Sequence, residues 1–505
     1  MNRRKAFINI LTSTIFKVFI VLMTIFARSV LMRQIGVEAT GLFSLYTSIL
    51  GFLSIAELGV GTAITFSMYK PIVAGDKNMV SALYFLYKKI YRIIFFVIFA
   101  IGILITPLVP LLAKNQTGSY NIYFTYILFL GAQVITYLYG HKTSLINAHL
   151  DNYVTTTIHS IGLIVGAALQ IFVLLKYKNF DLFFASIIIG NLIQWVLTEV
   201  IYKVKYRNLI NGQKKIDDDL KKDVIVKVKA LFLHRIGGLL VNTGDSIIIS
   251  TIIGVGILGY YSNYITIVNG MISVLTLVFT SITNIVGHSY AKNSKEVYHK
   301  QFIQIYLLNY LIAFVFFLGF FMVIDPLVIL LFTEASVLPR DVVFIITISY
   351  FVQFMRHATL TFKDAAGLFY YDRFKPLIEG LTNLGLSLLF VFIFGIQGVL
   401  IATIITNLAI THTIEPHVLF KYSFQRDKRK YYVVNYFLML VFLFVTGVMS
   451  FVPLPSFESG YLSILVNGVY SLFVSFVSLF LIFSVSKKAR IHIRQLFSYR
   501  KDQMK

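Results

Sequence analysis

Apolar residues run along this chain in long blocks near 7–32, 41–66, 90–112, 122–147, 154–175, 182–202 and 231–253. Further blocks follow near 259–286, 302–324, 341–362, 377–395, 398–420, 433–452 and 461–485, with polar and basic residues gathered between them. At 1.5 Å per residue, ~20 apolar residues in a helix cross a hydrocarbon layer about 30 Å thick. The pattern predicts an all-α polytopic membrane protein of about fourteen transmembrane helices, and an even number puts both termini on one side. Residues 1–202 then hold helices 1–6, and 203–230 form a linker that reads as an interfacial amphipathic segment held against anionic membrane lipids. Helices 7–12 fall in 231–420, and helices 13 and 14 with a basic tail fall in 421–505. The opening Met1-Asn2-Arg3-Arg4-Lys5 has the charge order of a signal peptide but no small-residue cleavage site, and is expected to lead into a retained first helix.

Composition narrows the function. Only 13% of the 505 residues are charged, about half the share in a soluble domain, which excludes a soluble enzyme. The longest outward connection, about 325–340, is too short for a catalytic module. Of the 45 lysines and arginines, 37 lie in or beside connections on the side of the termini and five lie opposite. This positive-inside bias places both termini in the cytoplasm of a multi-pass plasma-membrane protein, and it accounts for the net charge of +23 without nucleic acid as a partner. The chain has no cysteine, no GxxxxGK[ST] phosphate loop and no HExxH spacing. No catalytic residue, metal or cofactor is therefore expected, and transport would draw on a proton or sodium gradient or on the membrane potential.

An internal repeat stands out. Ile35–Tyr46 reads IGVEATGLFSLY and Ile253–Tyr264 reads IGVGILGYYSNY, with six of twelve positions identical at an offset of 218. Both copies sit at outward turns, so the two halves have the same topology, and transporters built from such parallel repeats bind substrate between them near the midplane. The same offset aligns Lys17 with Arg235.

Charges inside predicted spans are the candidate site. Lys17 lies about 15 Å along helix 1, too deep for easy snorkelling, and Arg28 returns to nearly the same face eleven residues later. Arg235, Asn242 and Asp245 form a comparable stripe on helix 7. Two fates are open for Lys17: an ion pair with Glu57 at similar depth on helix 2, or a place in a cavity. Arg235 has no such acid, because Leu275 stands at the position matching Glu57. An anionic ligand explains it better than stability does. Lys17, Arg28 and Arg235 are thus the candidate substrate-binding residues, and Glu57, Asn242 and Asp245 the candidate coupling or gating residues. The offset brings Arg28 and Asp245 to one depth in the outer half of opposite lobes, where they could close a gate.

The segments LMRQIGVEATGLFSLYTSILGFLSIAELGVGTAI (31–64), YKPIVAGDK (69–77) and AAGLFYYDRFKPLIEGLTNLGLSLLFVFIFGIQGVLIATIITNL (365–408) resemble the bacterial polysaccharide-repeat-unit (oligosaccharide) flippases. Their superfamily also holds multidrug antiporters and the lipid II flippase. The resemblance implies two six-helix lobes in a V around a central cavity, with two extra C-terminal helices. It also implies translocation of an undecaprenyl-pyrophosphate-linked oligosaccharide from the inner to the outer leaflet. Implied partners are the polyprenyl-pyrophosphate-linked glycan and the glycan polymerase and glycosyltransferases of its pathway. A lipid II flippase shares this chemistry, whereas a multidrug antiporter should prefer an acidic cavity.

Overall fold

The computed structural model describes residues 3–57, 60–116, 118, 120–211, 236–241, 243–292 and 294–485, and among these every regular element is helical. The chain divides into two units, 1–270 and 271–505.

The first unit contains α1 (Arg3–Gln34), α2 (Val37–Leu53), α3 (Val60–Val73), α4 (Lys77–Ile105), α5 (Ile122–Ala148), α6 (Asn152–Tyr177), α7 (Phe180–Ile201), α8 (Ile236–Ile253) and the start of α9 (Val255–Lys292). Asp76, Asn121 and Asn179 mark three helix starts, each accepting a backbone N–H from three residues on, which supplies a partner the first turn otherwise lacks. The run predicted as one helix at 41–66 is instead interrupted: α2 tightens into a turn at Ser54–Glu57, and α3 begins at Val60. Glycines at 51 and 61 weaken a continuous helix there, and the Ser54 hydroxyl donates to the Gly51 carbonyl. α6 and α7 pack through Gly162, Gly166 and Gly190: a Cβ on Gly190 would stand 2.7 Å from the Gly162 carbonyl oxygen. The linker predicted at 203–230 begins as a continuation of α7 through Leu209, where Lys205 Nζ donates to Asp151 at 2.7 Å. Its residues from 212 lie outside the described ones.

The second unit contains the rest of α9, α10 (Lys295–Leu331), α11 (Arg340–Met355), α12 (His357–Ala365), α13 (Lys375–Thr406), α14 (His412–Val418), α15 (Arg429–Phe451) and α16 (Gly460–Val485). α13 is broken at Gly395, whose φ of 60° and ψ of −135° suit only glycine. The break is a reversal: Asn383 Nδ2 donates to Thr403 Oγ1 at 2.9 Å, although twenty residues of straight helix would hold them about 30 Å apart. Two crossings therefore lie in Lys375–Phe424, as the runs at 377–395 and 398–420 predict. Eleven described helices are long and apolar enough to cross a membrane. Resolving this hairpin and adding the interrupted α2–α3 and the 38-residue α9 accounts for the remaining predicted runs.

α15 and α16 belong to the second unit by packing. Phe442 stacks on Phe351 with centroids 3.7 Å apart, and Tyr306 donates to Asn435 Oδ1 at 2.7 Å. α16 buries Ser463, Asn467, Ser471 and Ser475, one residue every four, and Ser471 meets Gly319 of α10. Small residues let the backbones approach where lipid offers no hydrophobic drive to associate.

Candidate functional site

The matched glycines Gly36 and Gly254 adopt the same backbone conformation, φ 116° with ψ 179° and φ 147° with ψ 154°, ahead of α2 and α9. The two helices then exchange contacts. A Cβ on Gly41 would collide with the Val255 carbonyl, and one on Gly259 with the Val37 carbonyl. Both pairs are matched positions of the repeat, so each copy's glycine receives the other copy's valine, in a local two-fold arrangement. The connection at 113–121 ties both turns. The Val255 N–H donates to the Lys114 carbonyl at 3.0 Å and Lys114 Nζ donates to the Ile252 carbonyl at 2.6 Å. On the other copy, the Gly118 N–H donates to the Glu38 carboxylate at 2.8 Å and the Tyr120 hydroxyl to the Ile35 carbonyl at 3.1 Å.

Arg28 closes this junction from α1. It is 8% exposed, and its Nε donates to Asn263 Oδ1 at 2.9 Å. Its Nη2 donates to Ser44 Oγ at 2.8 Å and also to Ser262 Oγ. Ser44 and Ser262 are again a matched pair, so one guanidinium clamps equivalent residues of both repeats. Its Nε reaches Asn263 at the same time, a spread of donors over two nitrogens that a lysine ammonium lacks. Arg28 also lines a cavity of about 270 Å³ within the first unit, whose other polar residues include Gln133, Gln170 and Asn191.

The remaining sequence candidates are dispersed. Lys17 is exposed and makes no ion pair among the described residues, so the alternative of a Lys17–Glu57 pair is not realised. Glu57 instead accepts from the Tyr91 hydroxyl at 2.7 Å, Tyr87 donates to Tyr91 at 3.2 Å, and Ser144 donates to Tyr87 at 3.1 Å. The interruption after α2 turns Glu57 toward these tyrosines and into a polar groove with Thr65, Asn147 and Asn152. Asp245 is 9% exposed on α8, and the guanidinium of Arg28 donates to the serines and the asparagine. Arg235 and Asn242 lie outside the described residues.

Sequence reasoning missed a buried charge cluster in the second unit. Arg356 Nη2 donates to Glu415 at 2.6 Å, and Lys375 donates to Glu415 at 2.7 Å and to Glu379 at 2.6 Å. Beside it Lys363 pairs with Asp372, both almost fully buried. A signal was present: Arg356, Glu379 and Glu415 fall inside the runs predicted at 341–362, 377–395 and 398–420, with opposite signs at neighbouring ends. Such mutual pairing is the usual fate of charge in a membrane and ties the α11–α14 ends together.

No family model matches the sequence, and no curated protein matches it. Solved structures do match it. One is a multidrug resistance MATE family transporter of the MOP superfamily in an inward-facing conformation, 13% identical over 81% of this chain and 98% of that one, TM-score 0.66. Another is the lipid II flippase MurJ in an inward closed conformation, 12% identical over 94% of this chain and 99% of that one, TM-score 0.65. A Vibrio cholerae MATE transporter is 16% identical over 83% of this chain and 99% of that one, TM-score 0.55. The chain is thus a multi-pass helical membrane protein. Its fold is that of these transporters.

Proposed function

We propose that this chain is a flippase that carries an undecaprenyl-pyrophosphate-linked oligosaccharide repeat unit from the inner to the outer leaflet by alternating access, with both termini in the cytoplasm. The observation that carries the reading is Lys17: an exposed cation with no ion pair among the described residues, midway along α1 and just inside the start of its apolar span Ile15–Gln34. Its desolvation is offset when it meets an anion, and a pyrophosphate supplies one while the polyprenyl tail stays in lipid. In this proposal Arg235, aligned with Lys17, binds the same pyrophosphate from the other repeat, and Arg28 with Ser44, Ser262 and Asn263 holds the outer junction closed between cycles. Glu57, Asp245 and Asn242 are the proposed coupling residues for a proton or sodium ion. The pathway's polymerase and glycosyltransferases would hand over and receive the cargo.

A second reading, transport of a peptidoglycan precursor, is favoured by one observation: the likeness to the lipid II flippase extends over 94% of this chain, against 81% and 83% for the two MATE transporters. Proteoliposomes separate the readings. Wild-type protein should flip a fluorescent polyprenyl-pyrophosphate oligosaccharide, and Lys17→Gln should slow it at least about tenfold, the scale of one charged hydrogen bond. Faster flipping of lipid II than of the oligosaccharide would favour the second reading. Export of organic cations at a rate indifferent to Lys17→Gln would overturn both.

A further inference from the structure

We infer that the groove between α14 and the start of α15 is a binding site for the phosphate of an anionic phospholipid. The groove is an open surface depression of about 590 Å³ lined by Thr413, Ile414, His417, Lys428, Tyr432 and Tyr436. Lys428 Nζ meets His417 Nδ1 at its mouth. No carboxylate pairs with Lys421, Lys428, Arg429 or Lys430 among the described residues, and Arg426 alone in this stretch reaches an acid, Glu296 at 3.3 Å. The one acid in the segment, Asp427, accepts the Arg429 N–H at 3.1 Å. One lysine, Lys428, therefore lines the concavity beside His417, in a stretch of basic residues for which the described residues provide no carboxylate other than those of Glu296 and Asp427.

The other walls fit a lipid. Tyr432 donates to the Thr413 carbonyl at 2.6 Å and Tyr436 to the Leu408 carbonyl at 3.3 Å, which fixes their rings as sides of the slot, and Lys428 stands over the Tyr432 ring at 5.7 Å. Beyond the tyrosines, α15 exposes Val433, Phe437, Leu440 and Phe444, spaced four, three and four residues apart along one stripe. A polar, cationic end that leads into an exposed apolar stripe at a helix terminus matches a headgroup phosphate followed by acyl chains. A soluble phosphate would use only the first part.

Native mass spectrometry of the full chain in detergent tests this, with phosphatidylglycerol and phosphatidylcholine of identical acyl chains as probes. Phosphatidylglycerol should bind as one saturable adduct that weakens as ionic strength rises, and phosphatidylcholine should compete poorly. Lys428→Gln should weaken phosphatidylglycerol about fivefold, one surface cation's share, and His417→Gln added to it further. Lys428→Arg should retain binding, as should Lys176→Gln, whose ammonium lies over Phe172 and Tyr177 at the far end of α6. Equal affinity for the two lipids, no dependence on salt, or unchanged binding by the double variant overturns the site. So does inorganic phosphate displacing the lipid completely, or a polyprenyl phosphate binding where phosphatidylglycerol does not. The salt and lipid comparisons use wild-type protein and decide the matter even if the double variant fails to fold.

Discussion

Arg28 is the residue whose position was legible and whose role was not. Its depth and face follow from helical periodicity, which is a local property, but its partners Ser44, Ser262 and Asn263 come from helices that only folding brings together. Two matched serines that accept from one guanidinium nitrogen are neighbours across the junction, which makes them candidate positions for a disulfide. Ser44→Cys with Ser262→Cys, in a chain that has no other cysteine, is therefore expected to crosslink on mild oxidation and to stop transport until reduced. A crosslinked protein that still transports would show that the junction does not open. Arg28→Lys keeps the charge and loses the fork, and is expected to cost ~1–3 kcal/mol in unfolding because the partners are left short of donors in a dry place. Thermal unfolding in detergent measures this. At Glu57, Tyr91→Phe removes the hydroxyl that the carboxylate accepts from. If Glu57 couples transport to protons, this change should shift the pH dependence of flux more than its maximum, whereas a purely structural tyrosine would lower the maximum alone.

At the scale of elements, hydropathy located the crossings because apolar length is written in consecutive residues. It placed the break at Gly395 but missed the interruption between α2 and α3, since such breaks depend on single glycines and on what packs against them. Gly395 and Gly385 share one helix and separate the two effects. Gly395→Ala meets a conformation that side chains avoid and is expected to destabilise by ~1–3 kcal/mol. Gly385→Ala, in regular helix with open space around it, is expected to be neutral or slightly stabilising. Equal effects in a denaturation series would remove the special status of the hairpin. Between α6 and α7, Gly190→Val should force the helices apart against Gly162 and Gly166, costing ~1–3 kcal/mol and lowering the yield of folded protein.

For the whole molecule, the distribution of lysine and arginine predicts which side each turn faces. Single cysteines at 178 and 340 are expected to react with a membrane-impermeant maleimide in intact cells, and cysteines at 295 and 428 only after the membrane is opened. The reverse pattern would invert the topology and move the phospholipid site between α14 and α15 to the outer leaflet.

The sequence by itself determined that this is a helical membrane protein of about fourteen crossings, with a duplicated turn, and pointed to its fold. Apolar run length, charge in the turns and repeated glycines are one-dimensional quantities that a bilayer converts directly into topology. Tertiary structure alone decided the pairing of charges. Glu57 turned to tyrosine rather than to Lys17, Arg28 to two serines and an asparagine, and Arg356 and Lys375 to Glu379 and Glu415 across helix ends. In a medium of low dielectric a charge takes whichever partner the packed helices bring within about 3 Å, and depth along an isolated helix leaves its neighbour and its rotation about that neighbour undetermined.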